Sequence, residues 1–411
     1  MEFPGMMDRF FSYVKIDTQS DEESESYPST KKQFELLNKL EGELKGLGLD
    51  DVERNKWGYV TATLKTNQEG DVPTIALIAH VDTSPDVSGE NVNPVIHKNY
   101  DGKDIIISEK ENVILKVDEN PMLNDKIGKT VITSDGTTLL GADNKAGITE
   151  IICAVKYLME NPDAPRPNIR ILFTPDEEVG RGTENITNEE IKADYGYTID
   201  GERLGEIEDE TFCADTLELD VTGIMVHPGY AKDKMINAIK IVSEIVDHFP
   251  KNGLAPETTE KREGYIHPFT ISGGGEKTNV KILLRDFEES GLREKEQYIR
   301  EVVDTIMKKY KGAKSDIKVS ESYRNMKHIL DKFPEVTEKA IKAVEMAGVT
   351  PHKNIIRGGT DGARLSFMGL PTPNIFTGGS NFHSKFEWIT LEDMYKASEV
   401  IVNLMKLWAV K

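Results

Sequence analysis

The chain has few cysteines and no long apolar run, and each shortage excludes a class of protein. Only two cysteines, Cys153 and Cys213, occur in 411 residues, which is too few for a disulfide scaffold and is typical of a reducing compartment. No apolar run approaches the roughly 20 residues that a membrane-spanning helix needs. The N-terminal segment lacks a basic leader and a long apolar centre, so we expect no secretion signal and a cytoplasmic location.

Positive charge is also in short supply. The 51 basic residues face 71 acidic ones, which gives a formal net charge of −20. Because an acidic surface repels nucleic acid and anionic membranes, we expect neither as a partner. Two hydrolase motifs are absent as well, since the sequence contains neither HExxH nor GxSxG.

The length of 411 residues exceeds one ordinary core and predicts two domains. The first half alternates apolar strands such as "TIALIAH" and "NIRILFT" with helical stretches such as "GITEIICAVKYLMEN". This alternation predicts an α/β fold with a mostly parallel sheet that is covered on both faces.

The pattern changes in residues 211–327. Alternating strands and two amphipathic helices, one predicted over 232–249, follow one another in the order βαββαβ. That order predicts a small antiparallel sheet with two helices on one side. We therefore predict a first domain in two parts, 1–210 and 328–411, interrupted by an inserted α+β domain at 211–327.

Histidine and acidic residues collect at the ends of predicted strands. "ALIAHVD" ends in His80 and Asp82, "YTIDGE" carries Asp200, and His383 follows "TPNIF" after a glycine turn. In parallel sheets, functional residues gather at the carboxyl ends of the strands. Imidazole together with carboxylate suits Zn²⁺. The alternative is a set of strands that end in ordinary polar turn residues.

Two adjacent glutamates, Glu177 and Glu178, follow the apolar run that ends at Pro175. Like charges this close raise a pKa unless a cation compensates them. Adjacent side chains in irregular backbone point in different directions, so one can ligate a metal while the other acts as a general base. The alternative is a solvated acidic loop, but the position beside other strand ends favours the metal site.

Asp143 lies in "GADNKAG", a loop of small residues before a predicted helix. Small residues let the backbone approach a ligand closely. The two oxygens of a carboxylate can bridge two metal ions about 3.5–4 Å apart. The alternative is an aspartate that caps the helix N-terminus, and both descriptions can hold for one loop.

Together these segments resemble the peptidase T family, which are tripeptide aminopeptidases among the dizinc peptidases related to aminoacylases. The similarity runs over nearly the whole chain, and the combination of "HVDTSPD" with "IRGGTDGARLSFMGLP" is its most specific part. The resemblance implies a zinc-exopeptidase-like catalytic domain at 1–210 and 328–411 and a ferredoxin-like lid domain at 211–327. It also implies a cytoplasmic enzyme that acts on tripeptides and a homodimer formed through the lid.

The resemblance further implies a role for each candidate residue. The metal ligands for two Zn²⁺ per subunit are His80 and Asp200 for one ion, Glu178 and His383 for the other, and Asp143 as the bridge. Asp82 is implied to orient His80, and Glu177 to be the general base that deprotonates the metal-bound water. A cis peptide bond between Asp143 and Asn144 is implied as well.

Three residues are implied to contact the substrate. His227, in "VHPG", is implied to polarise the scissile carbonyl; the alternative is a strand-end histidine before a proline. Arg285 and Arg357 are candidates for binding the C-terminal carboxylate of the substrate, because a forked guanidinium suits two oxygens. The alternative for each is a structural arginine.

Two other functions remain open from the sequence. A related dizinc dipeptidase or N-acyl amino acid amidohydrolase would carry the same catalytic residues and differ only in its pocket. A protein of another class, a non-catalytic metal-binding or peptide-binding protein, would keep the fold without turnover.

Overall fold

A computed structural model describes residues 1–410 and divides the chain into two compact units. The first holds Met1–Asp209, Met326–Asn354 and the residues from Thr360 onward; the second holds Glu210–Asn325 and Ile355–Gly359. The short segment 355–359, predicted within the catalytic part, groups with the second unit. One contact that ties this segment to the second unit is the hydrogen bond of 3.2 Å from Phe212 N to Ile356 O. The domain boundaries at 210 and 327 remain a proposal.

The helices are α1 Met6–Val14, α2 Gln33–Leu47, α3 Ala142–Glu160, α4 Asn188–Ile191, α5 Ala238–Asp247, α6 Glu289–Met307, α7 Lys327–Leu330, α8 Pro334–Met346, α9 Asp361–Phe367 and α10 Leu391–Ala409. The strands are β1 Asp50–Arg54, β2 Val60–Leu64, β3 Thr74–His80, β4 Val95–His97, β5 Ile105–Ser108, β6 Val113–Leu115, β7 Val131–Thr133, β8 Asn168–Thr174, β9 Tyr195–Gly201, β10 Glu206–Thr211, β11 Cys213–Thr222, β12 Tyr265–Gly273, β13 Lys277–Asp286, β14 Lys314–Tyr323, β15 His352–Ile356, β16 Asn374–Phe376 and β17 Trp388–Thr390. Among residues 1–410, no helix is both long enough and apolar enough to cross a membrane.

The main sheet has eight strands in the order β1-β2-β8-β3-β9-β16-β10-β15. Its centre is parallel, because β3 pairs in parallel with β8 and β9, and β16 with β9. The pairs β1 with β2, β2 with β8 and β10 with β16 are antiparallel. The predicted α/β class is confirmed, but the sheet is mixed rather than mostly parallel. A short connection such as the one between β1 and β2 permits only antiparallel neighbours.

Strand β3 shows why the central strands read as continuous apolar runs. Ile75, Leu77 and Ala79 pack into the large core on one face of the sheet, to which α1, α2, α3, α8 and α10 contribute. Ala76 and Ile78 pack into a smaller core on the other face. A strand buried on both faces needs apolar residues at every position rather than at alternate ones.

The second unit folds in the predicted order β11-α5-β12-β13-α6-β14, and its antiparallel sheet runs β12-β13-β11-β14. Buried residues of β11, β13, α5 and α6 form one core. The helix predicted over 232–249 is shorter in the structure, because it starts only at Ala238. Asn237 caps it, with Oδ1 accepting a hydrogen bond of 2.9 Å from Ile239 N.

Candidate metal centre

Four neighbouring strands of the main sheet bring the candidate residues to one edge. Strand β3 ends at His80, and Asp200 is the last residue but one of β9. Glu177 follows β8, and His383 follows β16. Because β3 runs parallel to β8 with His80 opposite Thr174, the carboxyl ends of these strands meet. The order of the strands thus gathers residues that are distant in the sequence.

Two groups of side chains can each hold a metal ion, and they share Asp143. In the first group, His80 Nε2 lies 2.9 Å from Asp143 Oδ1 and 3.2 Å from Asp200 Oδ1. In the second group, His383 Nε2 lies 3.2 Å from Asp143 Oδ2 and 2.8 Å from Glu178 Oε2. Asp143 therefore offers one oxygen to each group, which is the arrangement of a carboxylate that bridges two ions.

The electrostatics of the two groups show an excess of negative charge. Burial and the nearby Asp143 carboxylate raise the pKa of Glu178 to about 8. Burial lowers the pKa of His383, but hydrogen bonds with Asp143 and Glu178 raise it more, to about 12. Burial likewise lowers the pKa of His80, whereas Asp200 and Asp143 raise it more, so the net direction is upward. The raised pKa values mean that both imidazoles favour the protonated, positively charged form among these carboxylates. A bound cation can supply that positive charge instead.

The donor set fits a pair of divalent cations. Each group combines an imidazole nitrogen with carboxylate oxygens, and this mixture suits Zn²⁺. Within residues 1–410, the buried Oε1 of Glu178 has no hydrogen-bond partner, although buried carboxylate oxygens normally have one. A cation held by Glu178 would compensate this oxygen and reduce the repulsion between the carboxylates.

The backbone around Asp143 departs from a regular helix. Gly141 occupies the N-cap position of α3 with a φ of 80° and no side-chain cap, and Asp143 has non-helical φ and ψ of −82° and 104°. The peptide bond between Asp143 and Asn144 is cis, as predicted. Asp143 therefore does not cap the helix, and its carboxylate contacts the two histidines instead.

Asp82 holds the turn that carries both glutamates. Its Oδ1 accepts a hydrogen bond of 3.0 Å from Glu177 N, and its Oδ2 accepts one of 3.2 Å from Glu178 N. His80 Nδ1 lies 3.1 Å from the carbonyl oxygen of Asp82 and 3.3 Å from its Oδ1. One fully buried carboxylate thus fixes the turn and also contacts the ring of His80, which leaves Nε2 of that ring for a metal.

Asp176, the first acidic residue of the run, has a different use. It adopts a φ of 59°, and its carboxylate accepts hydrogen bonds of 2.6 Å from both Ser29 N and Gln33 Nε2. The three successive carboxylates at the end of β8 therefore have separate tasks. Asp176 anchors the turn to the N-terminal segment, Glu178 belongs to a metal-ligating group, and Glu177 is left for another role.

Glu177 lies outside both metal-ligating groups. Its side chain is partly exposed, and its Oε1 accepts a hydrogen bond of 3.3 Å from Asp361 N. Burial raises the pKa of Glu177, His80 lowers it and Asp200 raises it, and the net direction is upward. A carboxylate that is reachable and has an increased proton affinity is suited to accept a proton.

The remaining predicted residues belong to the second unit. His227 is exposed, and its Nδ1 accepts a hydrogen bond of 3.2 Å from Gly229 N. In the neutral ring this contact places the proton on Nε2, which can then donate to a carbonyl oxygen. The role of His227 at the scissile carbonyl stays a prediction.

Both predicted arginines bind backbone carbonyls. Arg285 Nη1 donates a hydrogen bond of 2.9 Å to Leu284 O. Arg357 Nη1 donates to Lys261 O and Glu263 O, at 2.6 Å and 2.8 Å. The substrate-binding role of the two arginines stays a prediction, and the structural alternative accounts for these contacts.

Sequence reasoning missed three carboxylates at this edge of the sheet. Asp86 Oδ2 lies 3.3 Å from His383 Nδ1, and Asp361 Oδ2 accepts a hydrogen bond of 2.9 Å from Thr174 Oγ1. Glu387 accepts backbone N–H groups from the loop of Asp143. The one sequence signal is that Asp86 lies near His80 and Glu387 lies near His383. With 71 acidic residues in the chain, such closeness is a weak signal.

Comparisons with known proteins identify the family of the chain. The sequence model described as peptidase family M20/M25/M40 matches residues 135–407. Peptidase T of Alkaliphilus oremlandii is 48% identical over 98% of this chain and 99% of its own. Two crystal structures share the fold over 100% of both chains: aminopeptidase PepT of Bacillus cereus, with a TM-score of 0.76 and 24% identity, and a tripeptidase of Staphylococcus aureus, with 0.78 and 20%. The resemblance predicted from the sequence is confirmed, and the chain belongs to peptidase family M20/M25/M40 and, within it, to the peptidase T family.

Proposed function

We propose that this protein is a cytoplasmic tripeptide aminopeptidase that uses two zinc ions per subunit to release the N-terminal residue of its substrate. The observation that carries the proposal is the sharing of Asp143 between two metal-ligating groups. Membership of the peptidase T family supports the substrate class, and two free, buried cysteines suit a reducing compartment. The inserted segment 211–327 is proposed as the lid.

The proposed zinc ligands are the residues of the two groups. They are His80 and Asp200 for one ion, Glu178 and His383 for the other, and Asp143 for both. When bound, the two ions supply Lewis-acid activation of water and of the scissile carbonyl. The protein fixes the ligands beforehand, because Asp82 holds both His80 and the turn of Glu178.

Glu177 is proposed as the general base. Its carboxylate accepts a proton from the attacking water and then delivers that proton to the amine that leaves. Its backbone N–H donates to Asp82, which holds the turn, and its Oε1 accepts from Asp361 N, which orients the side chain. An oriented carboxylate of this kind contributes roughly 10²- to 10⁴-fold to a rate.

Residues of the second unit are proposed to recognise the substrate. Nε2 of His227 donates to the oxygen of the scissile carbonyl and stabilises the negative charge that develops there. Arg285 and Arg357 are proposed to bind the C-terminal carboxylate. Each guanidinium has five N–H donors, so the contacts with backbone carbonyls leave donors for a ligand.

The function is tested by hydrolysis of a length series by the zinc-loaded protein. We expect cleavage of trialanine to alanine and dialanine. Dialanine, tetraalanine and N-acetyltrialanine should react roughly 10²-fold more slowly or worse, because each leaves a charged group of the site or of the substrate unpaired. Product analysis by mass spectrometry measures both rate and position of cleavage.

Each competing function gives a different result in the same assay. Preference for dialanine supports a dipeptidase, and preference for N-acetylalanine, which is added to the series as a further substrate, supports an amidohydrolase. No hydrolysis of any member, with zinc or cobalt supplied, supports a binding protein without catalysis. Any of these three results contradicts the proposed activity.

We also propose a homodimer that forms through the second unit. Strand β12 is at one edge of its sheet, and Phe269 and Ile271 on this strand are 50% and 58% exposed. Unpaired edges with apolar side chains are typical sites for strand pairing between chains.

Replacement of Ile271 by lysine is expected to weaken the dimer roughly tenfold or more, because a charge would be buried at the edge. Light scattering during size exclusion, at several protein concentrations, measures the change. Ile106→Lys on β5 is a matched control, since Ile106 is 55% exposed in the first unit. A wild-type protein that is monomeric throughout the concentration series would contradict this proposal.

A further inference from the structure

We infer that Glu387 is a positioning residue that sets the carboxylate of Asp143 between the two metal-ligating groups. The inference rests on the proposed pair of metal ions. Glu387 is not among the ligating residues of either group, and its side chain acts on Asp143 through the backbone. We therefore expect Glu387 to affect metal binding without itself contacting metal or substrate.

The contacts of Glu387 converge on the loop that carries Asp143. Oε2 of Glu387 accepts hydrogen bonds of 2.7 Å from Leu140 N and 2.8 Å from Gly141 N. Oε1 accepts one of 3.1 Å from Asp143 N. Glu387 is 1% exposed, so water does not replace these acceptors. One carboxylate thus binds three N–H groups within four residues of backbone.

The N–H groups of Gly141 and Asp143 lie at the start of α3, and the N–H group of Leu140 lies just before it. The first N–H groups of an α-helix lack an acceptor in the preceding turn, and Asp143 interrupts the helical backbone at the start of α3. Since a buried N–H without an acceptor is destabilising, the carboxylate of Glu387 selects the loop conformation in which all three groups point to it. That conformation also directs the Asp143 side chain to His80 and His383.

Glu387 also belongs to the loop that carries His383. Ser380 N donates to Trp388 O at 2.9 Å, and Trp388 N donates to Ser380 O at 3.1 Å, so this loop is closed at its base. Glu387 directly precedes the closing residue Trp388. A single side chain therefore connects the loop of His383 with the loop of Asp143. His383 and Asp143 are the pair that meets at 3.2 Å in the second group.

The variant Glu387→Gln separates positioning from simple stabilisation. Its amide oxygen can still accept from Leu140 N and Gly141 N, but its NH₂ group then faces Asp143 N, and two donors cannot bond. The loop keeps two of its three anchors, while the N–H of Asp143 loses its acceptor. A role confined to stability predicts a lower melting temperature with unchanged metal affinity. The positioning role predicts a change at the metal groups.

The experiment titrates Co²⁺ and Zn²⁺ into metal-free wild-type protein and Glu387→Gln. We expect the affinity to fall roughly 10- to 100-fold, as for other residues that orient metal ligands, and the visible absorption spectrum of bound Co²⁺ to change. Glu392→Gln is the matched control. Glu392 also accepts a backbone N–H, from Thr130 at 2.9 Å, but touches neither metal-ligating group. We expect wild-type metal affinity in this control.

Two results would overturn the inference, and a third would refute the proposed function on which it rests. Wild-type affinity and spectrum in a folded Glu387→Gln protein would leave Glu387 with a structural role only. If the glutamine variant does not fold, Glu387→Asp, which keeps both acceptors on a shorter side chain, is titrated instead and read in the same way. Failure of both variants to fold would also assign Glu387 to stability. A wild-type protein that binds no pair of ions would refute the proposed function itself, and the wild-type titration reveals that case separately.

Discussion

Replacement of Glu177 by alanine is expected to lower kcat for a tripeptide by roughly 10²- to 10⁴-fold while the protein still binds two zinc ions. The carboxylate of Glu177 is not part of either metal-ligating group. The contact that holds its turn is made by its backbone N–H with Asp82, and alanine keeps that N–H. Steady-state kinetics and metal analysis of the same preparation measure the two quantities.

The adjacent glutamate provides the matched control. Glu178→Ala removes a side chain of the same type one residue away, but Glu178 Oε2 lies 2.8 Å from His383 Nε2 within the second group. We therefore expect this variant to lose one ion as well as activity. Full activity of Glu177→Ala would end its assignment as the base, and loss of an ion from that variant would make Glu177 a ligand.

Most of the site could be predicted from the sequence because parallel strands place their ends together. His80 and Asp200 end adjacent strands, and once the α/β order of elements is recognised, the register of the sheet brings them to one edge. Asp143 could be predicted from the small residues around it. Histidine or aspartate at the end of a strand therefore helps to predict a metal site, because the strand end fixes where the side chain lies.

The residues that hold the ligands could not be predicted in the same way. Glu387 binds N–H groups that lie 244 to 247 residues away in the sequence, and a backbone N–H leaves no mark in the amino-acid pattern. The carboxylate of Asp82 was predicted to orient His80, but its contacts with Glu177 N and Glu178 N depend on how β3 and β8 are aligned. Positions of this kind follow from tertiary packing alone.

The apolar periodicity of the sequence also does not predict where a helix begins. The helix predicted from residue 232 begins only at Ala238, because Asn237 caps it and the preceding residues form a turn. Helical periodicity indicates which residues share a face of the helix. The position of the N-cap residue, here Asn237, decides where the helix begins. The error moved no candidate site residue.

Replacement of Asp143 by alanine is expected to abolish binding of both ions, since Asp143 contributes Oδ1 to one group and Oδ2 to the other. Each group is left with two ligating side chains. Ligand-linked stability should disappear with the ions: zinc at 100 times its dissociation constant stabilises a one-site protein by about 2.7 kcal/mol. Calorimetric titration with Zn²⁺, together with melting temperatures with and without zinc, measures both effects.

Asp200→Ala is the comparison that isolates the bridge. Asp200 contacts only the first group, through its Oδ1 at 3.2 Å from His80 Nε2, so its removal should release one ion and leave the second group with its own three side chains. The two aspartates are both largely buried, and a general loss of stability should affect both variants alike. Two ions retained by Asp143→Ala, or equal stoichiometry in the two variants, would contradict the bridging role. A stoichiometry near zero for Asp143→Ala and near one for Asp200→Ala would show that a single carboxylate couples the two sites, because no other side chain belongs to both groups among residues 1–410.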